Sequence, residues 1–302
     1  MKHRAIHAAL LALTVAATGA LAQQRQAPER VAEPFGSPQT DRMLSDIERW
    51  IQNNPRGRVL TEAERQAQEV AEAIGKRDCP AAVKLLNAGL AKGSHEILVL
   101  AATMYEDGLC LKPNWDRAVG LLQRAHAAGS PLAAPRLAAG YAGPAGGSDK
   151  AAALWWALQA KVGLPDACRS AEALVADADR FVAAIEAWPA GRLDHCAYVA
   201  GVMATVQGQI ETGPLASAFG LAGEVRLVFV PATGSFEIGN SLAPAASKQG
   251  RVDDASAQQA KRSELLALVR QTTERAVGRY KRPEGLDASW VARWTVEFKP
   301  AA

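Results

Sequence analysis

A block of 15 residues that occurs three times decides the fold of this chain. It reads CPAAVKLLNAGLAKG at residues 79–93, WDRAVGLLQRAHAAG at 115–129 and DKAAALWWALQAKVG at 149–163. Each block ends in glycine, with alanine eleven positions before that glycine and Leu or Trp at the eighth and seventh positions before it. Because these offsets lie on one face of a helix, every block predicts a helix with an apolar side.

A second helix is predicted after each block. Ile97, Ala133 and Ala167 each lie four positions after the glycine of a block, and Tyr105 and Tyr141 lie eight positions further on in the first two copies. Each unit is therefore predicted to be a pair of short antiparallel helices. Alanine and glycine let two helices approach closely, but one pair cannot bury its own apolar face, so the pairs are expected to stack into a short α-solenoid.

The repeat resembles a known family, the Sel-like repeats, which are relatives of the tetratricopeptide repeats. The similarity lies in YEDG at residues 105–108, NWDRA at 114–118 and DKAAALWW at 149–156 up to Gly163. The chain departs from the family where Gly89 replaces an alanine and where residues 142–148 are rich in glycine. We interpret Trp155 and Trp156 as packing residues, although adjacent indoles also suit a ligand-stacking platform.

The pattern changes after Trp188-Pro189-Ala190-Gly191, where we place a domain boundary. A helix predicted from Asp194 to Ile210 comes next. Apolar and polar residues then alternate, which predicts a β-hairpin around the turn at residues 231–234, and the alternation returns at 290–298 after a helix predicted over 255–280. The chain is thus expected to be mainly α, a short α-solenoid followed by a small α+β domain of helix, β-hairpin, helix and strand.

The C-terminal region resembles the C-terminal domain of TonB and its TolA relatives. The residues that carry the similarity are YVAG at 198–201, LAGEVRLVF at 221–229, Gly234, RPEGL at 282–286 and VEFKP at 296–300. A polar segment at 246–259 departs from that pattern. The resemblance implies a small domain that binds partner proteins, often by adding a strand to an exposed sheet edge. The candidate partner-binding residues are Trp290, Trp294, Arg279 and Arg282.

The N-terminus has the features of a secretory signal peptide at residues 1–22. Basic residues precede an apolar run from Ala8 to Ala17, and Ala20-Leu21-Ala22 fits a cleavage site. This run is shorter than the ~20 residues of a membrane-spanning helix. Cleavage is therefore expected, and retention as an anchor is the alternative.

The exported chain is predicted to contain three parts. Residues 23–40 have the composition of a flexible leader, residues 41–190 form the helical repeat domain and residues 191–302 form the α+β domain. The repeat domain is expected to begin with a helix from Asp41 to Ile51 and a second helix that starts at a capping box of Thr61 and Glu64.

Export determines how the cysteines are interpreted, since thiols pair in oxidising compartments. Their spacings of 31, 58 and 28 residues argue against a zinc site. In stacked helix pairs, all loops within a pair lie at one end of the solenoid. Cys79 and Cys110 fall at that end and Cys168 at the other, so the predicted disulfides are Cys79–Cys110 and Cys168–Cys196. Each closes a loop of about thirty residues, which contributes roughly 3–4 kcal/mol in the chain-entropy model.

Signatures of enzymes, metal sites and nucleic-acid binders are weak in this sequence. The histidines beyond residue 22, His95, His126 and His195, lack the spacing of a metal-binding helix, and no nucleophile motif accompanies them. The chain has 34 Lys and Arg against 31 Asp and Glu, a net charge of +3, and 6% aromatic residues, which argues against a nucleic-acid partner. We therefore predict no catalytic residue, no cofactor and no metal. The cations from Arg275 to Arg282 stand at a helix C-terminus, where they offset the negative end of the helix dipole. Contact with an acidic partner or with peptidoglycan is the alternative role for this basic run.

Together these patterns predict a periplasmic interaction scaffold of the cell envelope, whose solenoid and α+β domain each bind an envelope protein. Two alternatives stay open. The chain is a TonB-like energy transducer component if the N-terminal segment remains as an anchor, or an envelope enzyme whose site no motif reveals.

Overall fold

The computed structural model describes residues 61–143, 149–210, 219–244 and 255–299. The predicted signal peptide, the leader and the helix from Asp41 to Ile51 lie outside these residues. The first six described helices are α1 (Glu62–Gly75), α2 (Cys79–Leu90), α3 (His95–Asp107), α4 (Trp115–Ala127), α5 (Ala133–Ala142) and α6 (Lys150–Gln159). α1 packs against α2, α3 against α4 and α5 against α6, so the predicted architecture of stacked helix pairs is confirmed.

Side-chain caps set where these helices begin. Thr61 and Glu64 form the predicted capping box at the start of α1, where the Thr61 hydroxyl accepts a hydrogen bond from the Glu64 N–H. The second helix of each pair starts behind an Asp or Asn whose side chain accepts from the backbone N–H three residues later; these caps are Asp78, Asn114 and Asp149. Each cap satisfies a backbone donor that the first turn of a helix leaves unpaired.

The end of α6 shows that the third copy of the repeat differs from the second. Gly129 follows α4 with a φ of 85°, in the left-handed conformation that suits glycine. After α6 this conformation belongs to Lys161, with a φ of 53°, and the Val162 N–H donates to the Ala157 carbonyl as in a Schellman motif. Gly163, which the repeat alignment places at this turn, lies two residues beyond it and has a different role.

The region between α6 and the predicted boundary at Trp188 is more interrupted than a further pair of long helices would be. It forms α7 (Asp166–Arg169), a 3-10 turn (Glu172–Leu174) and α8 (Ala178–Glu186). The interruption has a local cause, since the Asp177 carboxylate accepts from the Arg180 N–H and so starts a new helix. α9 (Arg192–Gln209) follows and packs against α5 and α6, in the position that the first helix of a further pair would take.

The hairpin and the final strand are confirmed. β1 (Leu221–Val230) pairs antiparallel with β2 (Ser235–Asn240), and β3 (Ala243–Pro244) continues that pairing at the start of β1. α10 (Ala255–Arg279) leads to β4 (Ala292–Phe298), which pairs antiparallel with the other side of β1. β4 begins at Ala292 rather than at Trp290, because the Trp290 N–H donates to the Asp287 carbonyl in the preceding turn.

α9 connects the repeats to the sheet. Side chains of the helix pairs, α9, α10 and one face of the sheet are buried together in one continuous apolar core. The approach of α10 to α9 needs Gly201, where a Cβ would lie 2.9 Å from the Tyr280 ring. The Tyr280 hydroxyl donates to the Ala139 carbonyl at 2.9 Å and lies 2.7 Å from the Thr205 hydroxyl. The domain boundary near Pro189 stays a prediction, and the helix that follows it is buried against the repeats.

Candidate functional site

Trp290, the first candidate partner-binding residue, lines a cleft between the repeats and the sheet. The cleft has a volume of about 470 Å³, and its other wall is formed by the loop after α6 and the start of α7. The Trp290 side chain is half-buried and meets the His195 ring edge to face, with 6.0 Å between the ring centroids. His195 Nε2 lies 2.9 Å from the Glu284 carbonyl oxygen, a distance that fits a donated hydrogen bond. His195 thus supports the segment that leads into β4.

Trp294 is buried in the fold, whereas Arg279 is exposed and forms an ion pair with the repeats. Trp294 is 8% exposed and lies opposite Leu227 in the pairing of β4 with β1. The Arg279 guanidinium lies 3.2 Å from one carboxylate oxygen of Glu106, whose side chain is 8% exposed. Arg136 lies 3.6 Å from the other oxygen of that carboxylate. These ion pairs hold the end of α10 against α3 and α5. They engage part of the Arg279 guanidinium, although Arg279 itself is exposed.

Arg282 remains exposed, at the tip of the hairpin. Its guanidinium lies close to Gly234 in the turn between β1 and β2. Burial raises the pKa of the Tyr198 hydroxyl, and the nearby charge of Arg282 opposes that rise. Of the four candidates, Trp294 is buried, and Trp290, Arg279 and Arg282 are accessible to another molecule.

Both predicted disulfides are confirmed. Cys79 and Cys110 are bonded with 5.0 Å between their Cα atoms, and they tie the start of α2 to the loop between α3 and α4. Cys168 and Cys196 are bonded with 5.5 Å between their Cα atoms, and they tie α7 to α9. Two disulfides are typical of proteins in oxidising, extracytoplasmic compartments.

The adjacent tryptophans pack within the repeats. Trp155 Nε1 donates to the Val175 carbonyl at 3.1 Å, and Trp156 is 8% exposed. The His126 ring meets Trp156 edge to face at 5.3 Å. Within the described part of the chain, no cluster of His, Cys, Asp or Glu side chains is arranged to hold a metal ion. None of the described helices combines the length and the hydropathy that crossing a bilayer requires.

The register of the sheet shows which backbone groups face outward at its two edges. In a central antiparallel strand, successive residues direct their N–H and C=O groups to opposite neighbours. The Glu224 carbonyl accepts from the Ser241 N–H at 2.9 Å, so even-numbered residues of β1 bond towards β2 and odd-numbered residues towards β4. The residues whose backbone groups point away from the sheet are Phe236, Ile238 and Asn240 on β2, and Arg293, Thr295 and Glu297 on β4.

The two edges differ in how far they are covered. Gly163 lies so close to β4 that a Cβ there would be 1.6 Å from the Arg293 carbonyl oxygen. Along β2, no other described strand or loop has a backbone hydrogen bond to the outward groups. Phe236 and Ile238 are only half-buried there. Sequence reasoning missed these residues, because the alternation that identified the hairpin does not reveal which strand becomes the edge.

No family model matches the chain, and no curated protein or solved structure matches it.

Proposed function

We propose that this chain is an exported interaction scaffold of the cell envelope, and that its α+β region binds a partner protein by adding a strand of that partner to β2. The observation that carries the proposal is the outer edge of β2, six residues long, with the backbone groups of every second residue directed away from the sheet. An edge of this kind is a template for a further strand. The resemblance to TonB and TolA domains supports the same mode of binding.

The proposed compartment is the periplasm. The two disulfides support export, because cysteines stay paired where the environment is oxidising. The signal-peptide pattern at residues 1–22 supports the same route. In this proposal the stacked helix pairs provide a second binding surface, so that the protein connects two envelope partners.

Photocrosslinking in living cells tests the proposed strand addition. A photoreactive side chain at Gly239 points into open space on β2, and its adducts are identified by mass spectrometry. Ile238→Pro removes an outward N–H of β2, and Thr295→Pro, the matched control, removes an outward N–H of β4; edge strands tolerate proline at such positions. We expect Ile238→Pro to abolish the adduct and Thr295→Pro to retain it. An adduct that survives Ile238→Pro contradicts the proposal.

A further inference from the structure

A half-open apolar stripe runs along the free edge of the sheet, between β2 and α10. Its apolar members are all half-buried and packed against the core on one side; they are Phe236, Ile238, Leu266 and Val277. On the same face of the sheet, the central strand residues Val225, Leu227 and Phe229 are fully buried. The β2 side chains thus have the exposure expected of positions that a further strand would cover.

The path of α10 along β2 follows from two contacts. Val277 lies next to Gly234 at the tip of the hairpin, and the Arg270 guanidinium carbon lies 5.7 Å from the centroid of the Phe236 ring. Leu266 is one helical turn before Arg270 and so lies one turn further along the same stripe. A strand added to β2, at the usual spacing of about 4.8 Å, would direct every second side chain towards this row of α10 residues.

Arg270 is the charged group in this otherwise apolar stripe. Its side chain is exposed, and no described carboxylate forms an ion pair with it, although Glu274 lies one turn along the same helix. Glu237 of β2 faces the opposite side of the sheet, because strand side chains alternate. Arg282 adds a second exposed cation at the hairpin end of the stripe.

We propose that the strand which adds to β2 carries a carboxylate between aliphatic side chains on its helix-facing side, and that Arg270 binds this carboxylate. The inference rests on the strand addition proposed above and names the chemistry of the partner. A guanidinium binds a carboxylate through two parallel hydrogen bonds, which fixes the register of the added strand as well as its orientation. The aliphatic neighbours of the carboxylate cover Phe236 and Leu266.

Two synthetic peptides with blocked ends test the inference on the purified full chain. One is Thr-Val-Thr-Glu-Thr-Val-Thr, which places Glu between two Val residues on one face of a strand, and the other has Gln in place of Glu. We expect the Glu peptide to bind about five-fold more tightly in low salt, the range of a well-oriented surface ion pair. Raising the salt concentration should reduce this preference.

Substitutions separate this inference from the proposed function. Arg270→Gln should make the two affinities equal, whereas Arg226→Gln, on the opposite face of the sheet, should leave the five-fold preference intact. Two further versions of the Glu peptide carry N-methyl groups, one on its odd-numbered amides and the other on its even-numbered amides. Only one of these two sets of amides faces β2, so one version should lose binding and the other should keep it. Equal binding of both peptides to the unsubstituted chain overturns the charge recognition while the strand addition stands. If neither peptide binds, the strand addition and the charge recognition both fail.

Discussion

Replacement of Gly163 by Ala tests whether the repeats and the sheet form one packed unit. The φ of Gly163 lies outside the left-handed region, so alanine is not excluded by backbone conformation. The obstacle is contact, because the new Cβ would lie 1.6 Å from the Arg293 carbonyl oxygen and 2.6 Å from its carbonyl carbon. Both obstructing atoms are backbone, so a change of side-chain rotamer cannot relieve the overlap.

Relief of this overlap requires the loop after α6 or the start of β4 to move. Normal contact needs a separation above 3.0 Å, so the required shift is roughly 1.5 Å. Overpacking of this kind costs about 3 kcal/mol, which in a chain of this size corresponds to a fall in Tm of roughly 6–12 °C. Thermal unfolding, monitored by circular dichroism, measures the fall in Tm. Amide hydrogen exchange should be faster in β4 of the variant than in β4 of the wild-type protein.

Gly120→Ala is the matched control for this substitution. Gly120 lies within α4, and a Cβ there would meet nothing within 4 Å. Alanine in a helix interior is more favourable than glycine by roughly 0.5–1 kcal/mol, so Tm should hold or rise. If the Gly163→Ala and Gly120→Ala proteins unfold at the same Tm, the loop after α6 does not support β4.

Three further predictions concern the N-terminus of the exported protein, the buried Tyr280 and the domain boundary. Mass spectrometry of the exported protein should find Gln23 as the first residue, whereas Met1 in a membrane fraction would favour the anchored energy transducer. Tyr280→Phe should lower the free energy of unfolding by about 1–3 kcal/mol, since it removes the buried hydroxyl that bonds to Ala139 and Thr205. Burial also raises the pKa of Tyr280, so the stability of the wild-type protein should fall as pH rises above the ordinary tyrosine pKa of 10.0. The Phe variant should lack that part of the fall. Residues 192–302 with Cys196→Ser test the predicted boundary near Pro189. Because α9 is buried against α5 and α6, we expect this fragment to aggregate or to melt without cooperativity, and a cooperative melt would support an independent domain after residue 191.

Local patterns in the sequence predicted the parts of the fold that local physics determines. The helix pairs follow from the spacing of Ala and Leu in the repeated block, and the hairpin follows from alternation around its turn. The disulfides required one further step, that loops within a pair share one end of the solenoid, which placed Cys79 beside Cys110. These inferences succeeded because each depends on residues within about forty positions of each other in the chain.

The features that the sequence did not predict depend on contacts between distant segments. Gly163 was aligned with Gly129 as a turn residue, but Lys161 takes the left-handed conformation and Gly163 makes room for β4. The ion pair of Arg279 with Glu106 joins residues 173 positions apart, so helix periodicity alone could not reveal it. The exposed position of Arg270 likewise depends on which strand lies at the edge of the sheet.

The packing of α9 against α5 and α6 limits how this protein can change its number of repeats. In an open array, duplication of a unit lengthens the molecule and leaves its neighbours intact. Here a unit inserted between α6 and α7 would separate α9 from the surface of α5 and α6 that it covers. A unit inserted between α7 and α9 would lie within the loop that the Cys168–Cys196 bond closes. A gained repeat is therefore expected to disturb the fold least at the N-terminal end of the array, and the distance from α5 to the β2 edge stays constant in any variant that keeps the packing of α9 against α5 and α6.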